Sequence, residues 1–143
     1  MINHQAKGDE SISCHTIINM YYPYLKKAKL LSHKELEFYN KLRIIVEPKG
    51  LVIFASVRLA DVVYVPKTYR YFNLFFSRIK AKQIDFVVCD RATSEIRCLI
   101  ELDDKTHSEP QRQSRDKFVN KVISKAKIAF IRCSSPDHVC QII

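Results

Sequence analysis

Ile84-Asp85-Phe86-Val87-Val88-Cys89-Asp90 and Ile96-Arg97-Cys98-Leu99-Ile100-Glu101-Leu102-Asp103, joined by Arg91-Ala92-Thr93-Ser94-Glu95, decide how the chain folds. Each run alternates apolar and other residues over strand length, so the pair reads as a hairpin. If Arg91–Glu95 is the turn, Asp85 falls directly opposite Glu101, and Asp103 points to the same face two residues on. A four-residue turn would instead set Asp85 opposite Ile100 and diagonal to Glu101. Like charges facing each other destabilise a sheet. Such a cluster therefore points to a cation between the carboxylates; the alternative is separate strand-end residues that each reach water.

Outward from the hairpin, Ser32 and Glu35 form an S-x-x-E capping box ahead of Leu36, Phe38, Tyr39, Leu42, Ile45 and Val46, which predicts a helix. Pro48-Lys49-Gly50 ends it, and Leu51–Ala55 reads as a buried strand. Residues 57–65 fit either a strand extension or a short helix. A helix is predicted from about Lys67 to Ala81, with Phe72, Phe75, Phe76 and Ile79 as its apolar face. After the hairpin, Ser108-Glu109-Pro110-Gln111 begins a helix to about Lys125, with Phe118, Val122 and Ala126 on one stripe. Ile128–Arg132 reads as a last strand and Pro136–Ile143 as a terminal helix. A helix between the hairpin and the last strand has the length of a crossover, so part of the sheet should be parallel. The expected class is α/β, one mixed sheet with helices on both faces. Residues 1–29 form an N-terminal arm or accessory segment, with a docked helix around Ile17–Leu25 as one option, and residues 30–143 form the domain.

The length of 143 residues suits one main domain. Two glycines, Gly8 and Gly50, exclude Gly-rich phosphate loops. Lys and Arg number 24 against 15 Asp and Glu, a net charge of +9, which favours a polyanionic partner such as nucleic acid. Cys14, Cys89, Cys98, Cys133 and Cys140 make an odd set without C-x-x-C, and no signal peptide is seen. Reduced thiols and a cytoplasmic location are expected, Cys89, Cys98 and Cys133 as small core residues, with a structural zinc as the minor alternative. No stretch is long and apolar enough for a membrane span.

Glu35 heads the buried stripe of its helix, so it serves as a cap, as a site residue, or as both. His107 follows Asp103-Asp104-Lys105-Thr106, in a loop at a strand end where sites are commonly built; taken alone, it also fits a surface histidine. Asp116 and Lys117 lie early in the next helix, and Arg115 and Arg132 have the guanidinium forks that suit phosphate. For each of these a solvated helix face or rim ion pair is the plainer alternative.

Leu31-Ser32-His33-Lys34-Glu35, Ile84–Asp90, Ile100-Glu101-Leu102-Asp103-Asp104 with His107, Arg115-Asp116 and Ile131-Arg132 together resemble an uncharacterised bacterial domain family. That family is placed in the PD-(D/E)xK restriction-endonuclease-like superfamily, close to the very-short-patch-repair endonucleases. The resemblance covers about residues 30–135. It implies a restriction-endonuclease-like mixed sheet flanked by helices, and Mg²⁺ or Mn²⁺ on Asp85 and Glu101 with the Leu102 carbonyl as third ligand. It implies that Glu35 helps hold the metal or its water. The lysine expected two residues after the second acid is Asp103 here, so Lys105, Lys117 or His107 would stand in; the repair-type relatives use a histidine in this region, which favours His107. Arg58, Lys67, Arg70, Arg78, Lys80 and Lys82 would hold the backbone of DNA, with Arg115 and Arg132 on phosphate. Tyr69-Arg70-Tyr71-Phe72 would be a wall or wedge, or simply core.

The expected function is therefore a metal-dependent DNA endonuclease or nickase. The second reading is a non-cleaving nuclease-fold module that binds nucleic acid, with a protein partner, in a repair, plasmid or defence system. A third is a basic protein-interaction domain.

Overall fold

The computed structural model describes residues 23–103 and 110–143, without the side chains of residues 110–113 and 141. The chain divides into two compact units, Met1–Leu30 and Leu31–Ile143. In the first, residues 23–30 have neither helix nor strand; the option of a helix around Ile17–Leu25 lies largely outside the described residues.

The second unit runs α1 (His33–Val46), β1 (Leu51–Arg58), α2 (Leu59–Val62), α3 (Phe72–Ile79), β2 (Gln83–Asp90), β3 (Ile96–Leu102), α4 (Pro110–Lys125) and β4 (Phe130–Cys133). Short 3-10 turns follow α1 at Glu47–Lys49 and β4 at Pro136–Gln141. The four strands form one mixed sheet in sequence order, antiparallel from β1 to β3 and parallel between β3 and β4. The class is α/β, as expected, and α4 is the crossover that the parallel pair requires.

Alternation along the strands divides the core in two. Phe86, Val88, Cys98 and Ile100 face α1, where they meet Phe38, Leu42 and Val46. The Phe38 and Phe86 rings stack with centroids 5.4 Å apart. Val87, Cys89 and Leu99 face the other way, onto Leu59, Ile79 of α3 and Val119 and Ile123 of α4. Helices thus cover both faces of the sheet.

Several boundaries differ from the sequence reading. The ambiguous stretch after Ala55 is both things in turn: β1 extends to Arg58 and α2 follows at once. On α3 only Ile79 is buried, while Phe75 and Phe76 are each 39% exposed. The stripe on α4 is also displaced: Val119 and Ile123 are buried, Phe118 and Val122 are partly buried, and Ala126 is exposed. Phe118 sits at the rim of the interface, where the Arg78 guanidinium and Lys82 ammonium lie 4.2 and 5.2 Å from its ring centroid. A cation can cover an aromatic face in place of apolar core. The last strand starts two residues late, and the terminal helix is a 3-10 turn.

Candidate active site

The hairpin register places the acids. Phe86 pairs with Ile100, Val87 with Leu99 and Val88 with Cys98, with a shift only at Cys89 beside the turn. Beside the turn, Cys89 pairs with Ile96 and the Asp90 N–H bonds the Glu95 carbonyl, which is the register of the four-residue turn. The bulge at Val88/Cys89 then restores the register expected of a turn of Arg91–Glu95, and this carries Asp85 to the position opposite Glu101. The Asp90 carboxylate supports that turn by accepting the Ala92 and Thr93 N–H groups at 2.9 and 3.0 Å. Across the sheet, Ser56 stands opposite Asp85 with φ 54°, and the pairs on either side, Ala55–Phe86 and Val57–Ile84, keep their register. The ladder is interrupted at Asp85 itself.

Asp85 is fixed by a hydrogen bond from the Leu102 N–H to its Oδ2, 2.8 Å. Glu101 lies beside Arg132 on the parallel strand β4. The guanidinium holds Glu101 at 2.8 Å through Nη2 and Asp116 of α4 at 2.9 Å through Nη1. Glu35 arrives from the first turn of α1, where its Oε2 accepts the Ser32 N–H at 2.6 Å and the Ser32 Oγ accepts the Glu35 N–H at 3.3 Å. It is both a cap and a lining residue.

These groups meet in an open cleft of about 620 Å³, a size typical of ligand sites. Its walls include Glu35 and Phe38 from α1, Asp85, Glu101, Leu102 and Asp103 from the hairpin, and Arg115, Asp116 and Arg132 from α4 and β4. Lys34 and Lys41 of α1 line it too. Both were missed in the sequence, although residues 34, 38 and 41 share one helical face with the buried Phe38. Lys41 also pairs with Glu37 at 2.7 Å.

Burial pushes the Asp85 carboxyl above the ordinary range for aspartate; the Leu102 N–H opposes this and the Glu35 charge adds to it. Glu101 is raised in the same way by burial, despite the opposing Arg132 charge, and the Asp85 charge adds to the rise. Burial therefore outweighs the ion pair at Glu101. Arg132 moves up as well: burial works against its charge, but the Asp116 hydrogen bond and the Glu101 charge prevail. The cleft contains half-buried carboxylates whose burial outweighs the nearby Arg115 and Arg132 charges, and raised carboxyls of this kind gather at functional sites more often than elsewhere.

Asp85 and Glu101 present hard oxygen donors, and the cation they would suit depends on how many such donors stand together. Among the described residues no three His, Cys, Asp or Glu side chains group closely enough to cage a metal. Two carboxylates completed by water and substrate oxygens form the set Mg²⁺ commonly takes, whereas calcium wants a fuller oxygen shell. Among the described residues the zinc alternative has no support: Cys89, Cys98 and Cys133 are buried free thiols. Burial above all, with the neighbouring Cys133 and Cys89, pushes the Cys98 thiol up to about 11, so it packs as an inert group.

Of the residues predicted from sequence, Glu35, Asp85, Glu101, Leu102, Asp103, Arg115 and Arg132 line the cleft. Lys117 does not; it is exposed on α4, one position beyond Asp116, and helical geometry turns it to another face. Arg58, Arg70, Arg78, Lys80 and Lys82 also lie outside the lining. Arg58 is bound to Asp61 at 2.8 and 2.9 Å instead. Lys105 and His107 lie outside the described residues.

Comparison with known proteins gives a family match. The family described as "Protein of unknown function (DUF2726)" matches residues 27–142. No curated protein and no solved structure matches the chain.

Proposed function

For a chain that belongs to this DUF2726 family, we propose a metal-dependent nuclease of the PD-(D/E)xK type, related to the very-short-patch-repair endonucleases, that hydrolyses phosphodiester bonds of DNA. The observation that carries the reading is the convergence of Glu35, Asp85 and Glu101, from three separate elements, on one cleft that also holds two arginines. Asp85 and Glu101 would hold Mg²⁺ or Mn²⁺, with Leu102 beside them. The cation would lower the pKa of a bound water and offset charge building on the phosphate.

The chain's own residues account for the remaining work. The Leu102 N–H fixes one Asp85 oxygen and so sets the direction of the other. Glu35, anchored by its cap, orients water at the same edge. Arg115 would face the phosphate, for which a planar guanidinium supplies paired donors, whereas Arg132, expected there too, has its terminal nitrogens on Glu101 and Asp116 and orients Glu101 instead. His107 or Lys105, next to Asp103 in sequence, is the candidate to take the proton from the attacking water. Lys34 and Lys41 are the lysines that the cleft itself offers. A cytoplasmic location accords with buried free thiols. Among the described residues no helix is long and apolar enough to cross a membrane.

The second reading, a nuclease-fold module that binds nucleic acid without cutting it, draws on Asp103 standing where the motif lysine is expected. A fluorophore- and quencher-labelled oligonucleotide, in DNA and RNA versions, separates the two. Release of signal with Mg²⁺ or Mn²⁺, none with chelator and none with Asp85→Asn supports the nuclease. Salt-sensitive binding with no release under any metal supports the binding module.

A further inference from the structure

The aromatic side chains before and within α3 are largely outside the core. Tyr64 is 85% exposed, Tyr69 55% and Tyr71 52%. Their arrangement is ordered by local contacts: Tyr69 meets Phe75 edge to face at 5.7 Å, and Phe72 stacks on Phe76 at 5.5 Å. The Arg70 guanidinium lies 5.5 Å from the Tyr71 ring centroid. Between Asp61 and Asp85 the sequence carries Lys67, Arg70, Arg78, Lys80 and Lys82, and no acidic residue. Arg115, which lines the cleft, also donates from Nη2 to the carbonyl of Gln83, the residue after Lys82, at 3.4 Å.

We propose that this surface, from Tyr64 to Lys82, is a platform for unpaired nucleic acid, with bases on the Tyr69 and Tyr71 rings and phosphates on Lys67 and Arg70. The charge pattern selects the occupant. Leu74 is also exposed here, at 59%, but the rim of a surface for a protein partner would carry both signs of charge. This segment sets its tyrosines among cations and has no acidic residue, which is the composition that accepts stacked bases and a phosphate backbone together. A duplex keeps its base faces stacked internally and offers none to the tyrosines, so the platform favours single strands, flaps or gaps. The inference rests on the proposed reading only in taking nucleic acid as the ligand; it needs neither metal nor cleavage.

The test is fluorescence anisotropy in chelator, with a labelled single strand of about 20 nucleotides and the matching duplex over a salt series. The single strand is expected to bind about tenfold tighter than the duplex. Tyr69→Ala with Tyr71→Ala should remove that preference, Tyr69→Phe with Tyr71→Phe should keep it, and Arg70→Gln should make the salt dependence shallower by about one phosphate contact. Equal affinity for both forms, or full binding by the folded double alanine variant, overturns the platform. So does stronger binding to anionic lipid vesicles than to DNA, or self-association that the alanine variant loses. Cleavage without the strand preference would refute the platform alone, and the strand preference without cleavage would refute the nuclease alone.

Discussion

At the scale of single residues, Glu35 does two jobs that can be separated. Glutamine keeps the capping contact to Ser32 but removes the charge. Glu35→Gln is therefore expected to leave the unfolding midpoint unchanged, read by a thermal scan, and to weaken Mn²⁺ binding about 10- to 100-fold, read by calorimetric titration, as groups supporting a metal site do. Asp85 gives a second test, because its folded-state pKa is raised. A raised carboxyl contributes stability below its unfolded value, and that contribution is lost as pH rises through the folded value. In chelator, Asp85→Asn should melt with the unaltered protein near pH 3.8 or below and above it at neutral pH. A variant that melts lower at neutral pH would mean that the carboxylate is well compensated without a cation. Added Mg²⁺ should reverse the order, since it binds only the folded protein with the carboxylate.

At the scale of elements, the hairpin was legible because its parity and turn composition agreed, and because Asp90 fixes the turn through its own carboxylate. The capping box placed α1 within a residue for the same reason: a local hydrogen bond encodes it. The α4 stripe was not legible, because Phe118 is large and apolar yet sits at the rim beneath two cations, which no single-helix pattern reveals. The exposed α3 aromatics misled similarly, since an aromatic held for a surface role has the same periodicity as one held for the core. The end of α4 offers a test of local encoding. Ile128 N–H bonds the Ile123 carbonyl and Lys127 N–H the Ser124 carbonyl, a Schellman pattern, and Lys127 sits at φ 56° where glycine is favoured. Lys127→Gly should stabilise the protein by about 0.5–1 kcal/mol, the relief of left-handed strain less the added freedom of the unfolded chain. A urea midpoint that falls would show that the lysine side chain contributes more than its backbone costs.

At the scale of the whole molecule, the candidate site depends on long-range pairing. Glu101 and Arg132 are far apart in sequence, and the parallel β3–β4 pair makes them neighbours. The sequence named both residues, one as metal ligand and one as phosphate contact, without showing that they bind each other. The lysines of α1 were missed because the cleft is assembled from α1, the hairpin, α4 and β4, and only the assembled fold shows which helix face it uses. A net charge of +9 around an acidic cleft also predicts behaviour in bulk. Association with DNA should weaken steeply and log-linearly as salt rises. A flat salt profile would point to a protein partner instead.

The most direct measurement is conversion of supercoiled plasmid by the purified protein with Mg²⁺ or Mn²⁺, beside Asp85→Asn and Glu101→Gln. The expected result is nicked or linear DNA with metal, none with chelator, and a loss of about a hundredfold or more in both folded variants. Cleavage that persists in both variants, or its absence with every metal despite bound DNA, would contradict a nuclease site between Asp85 and Glu101.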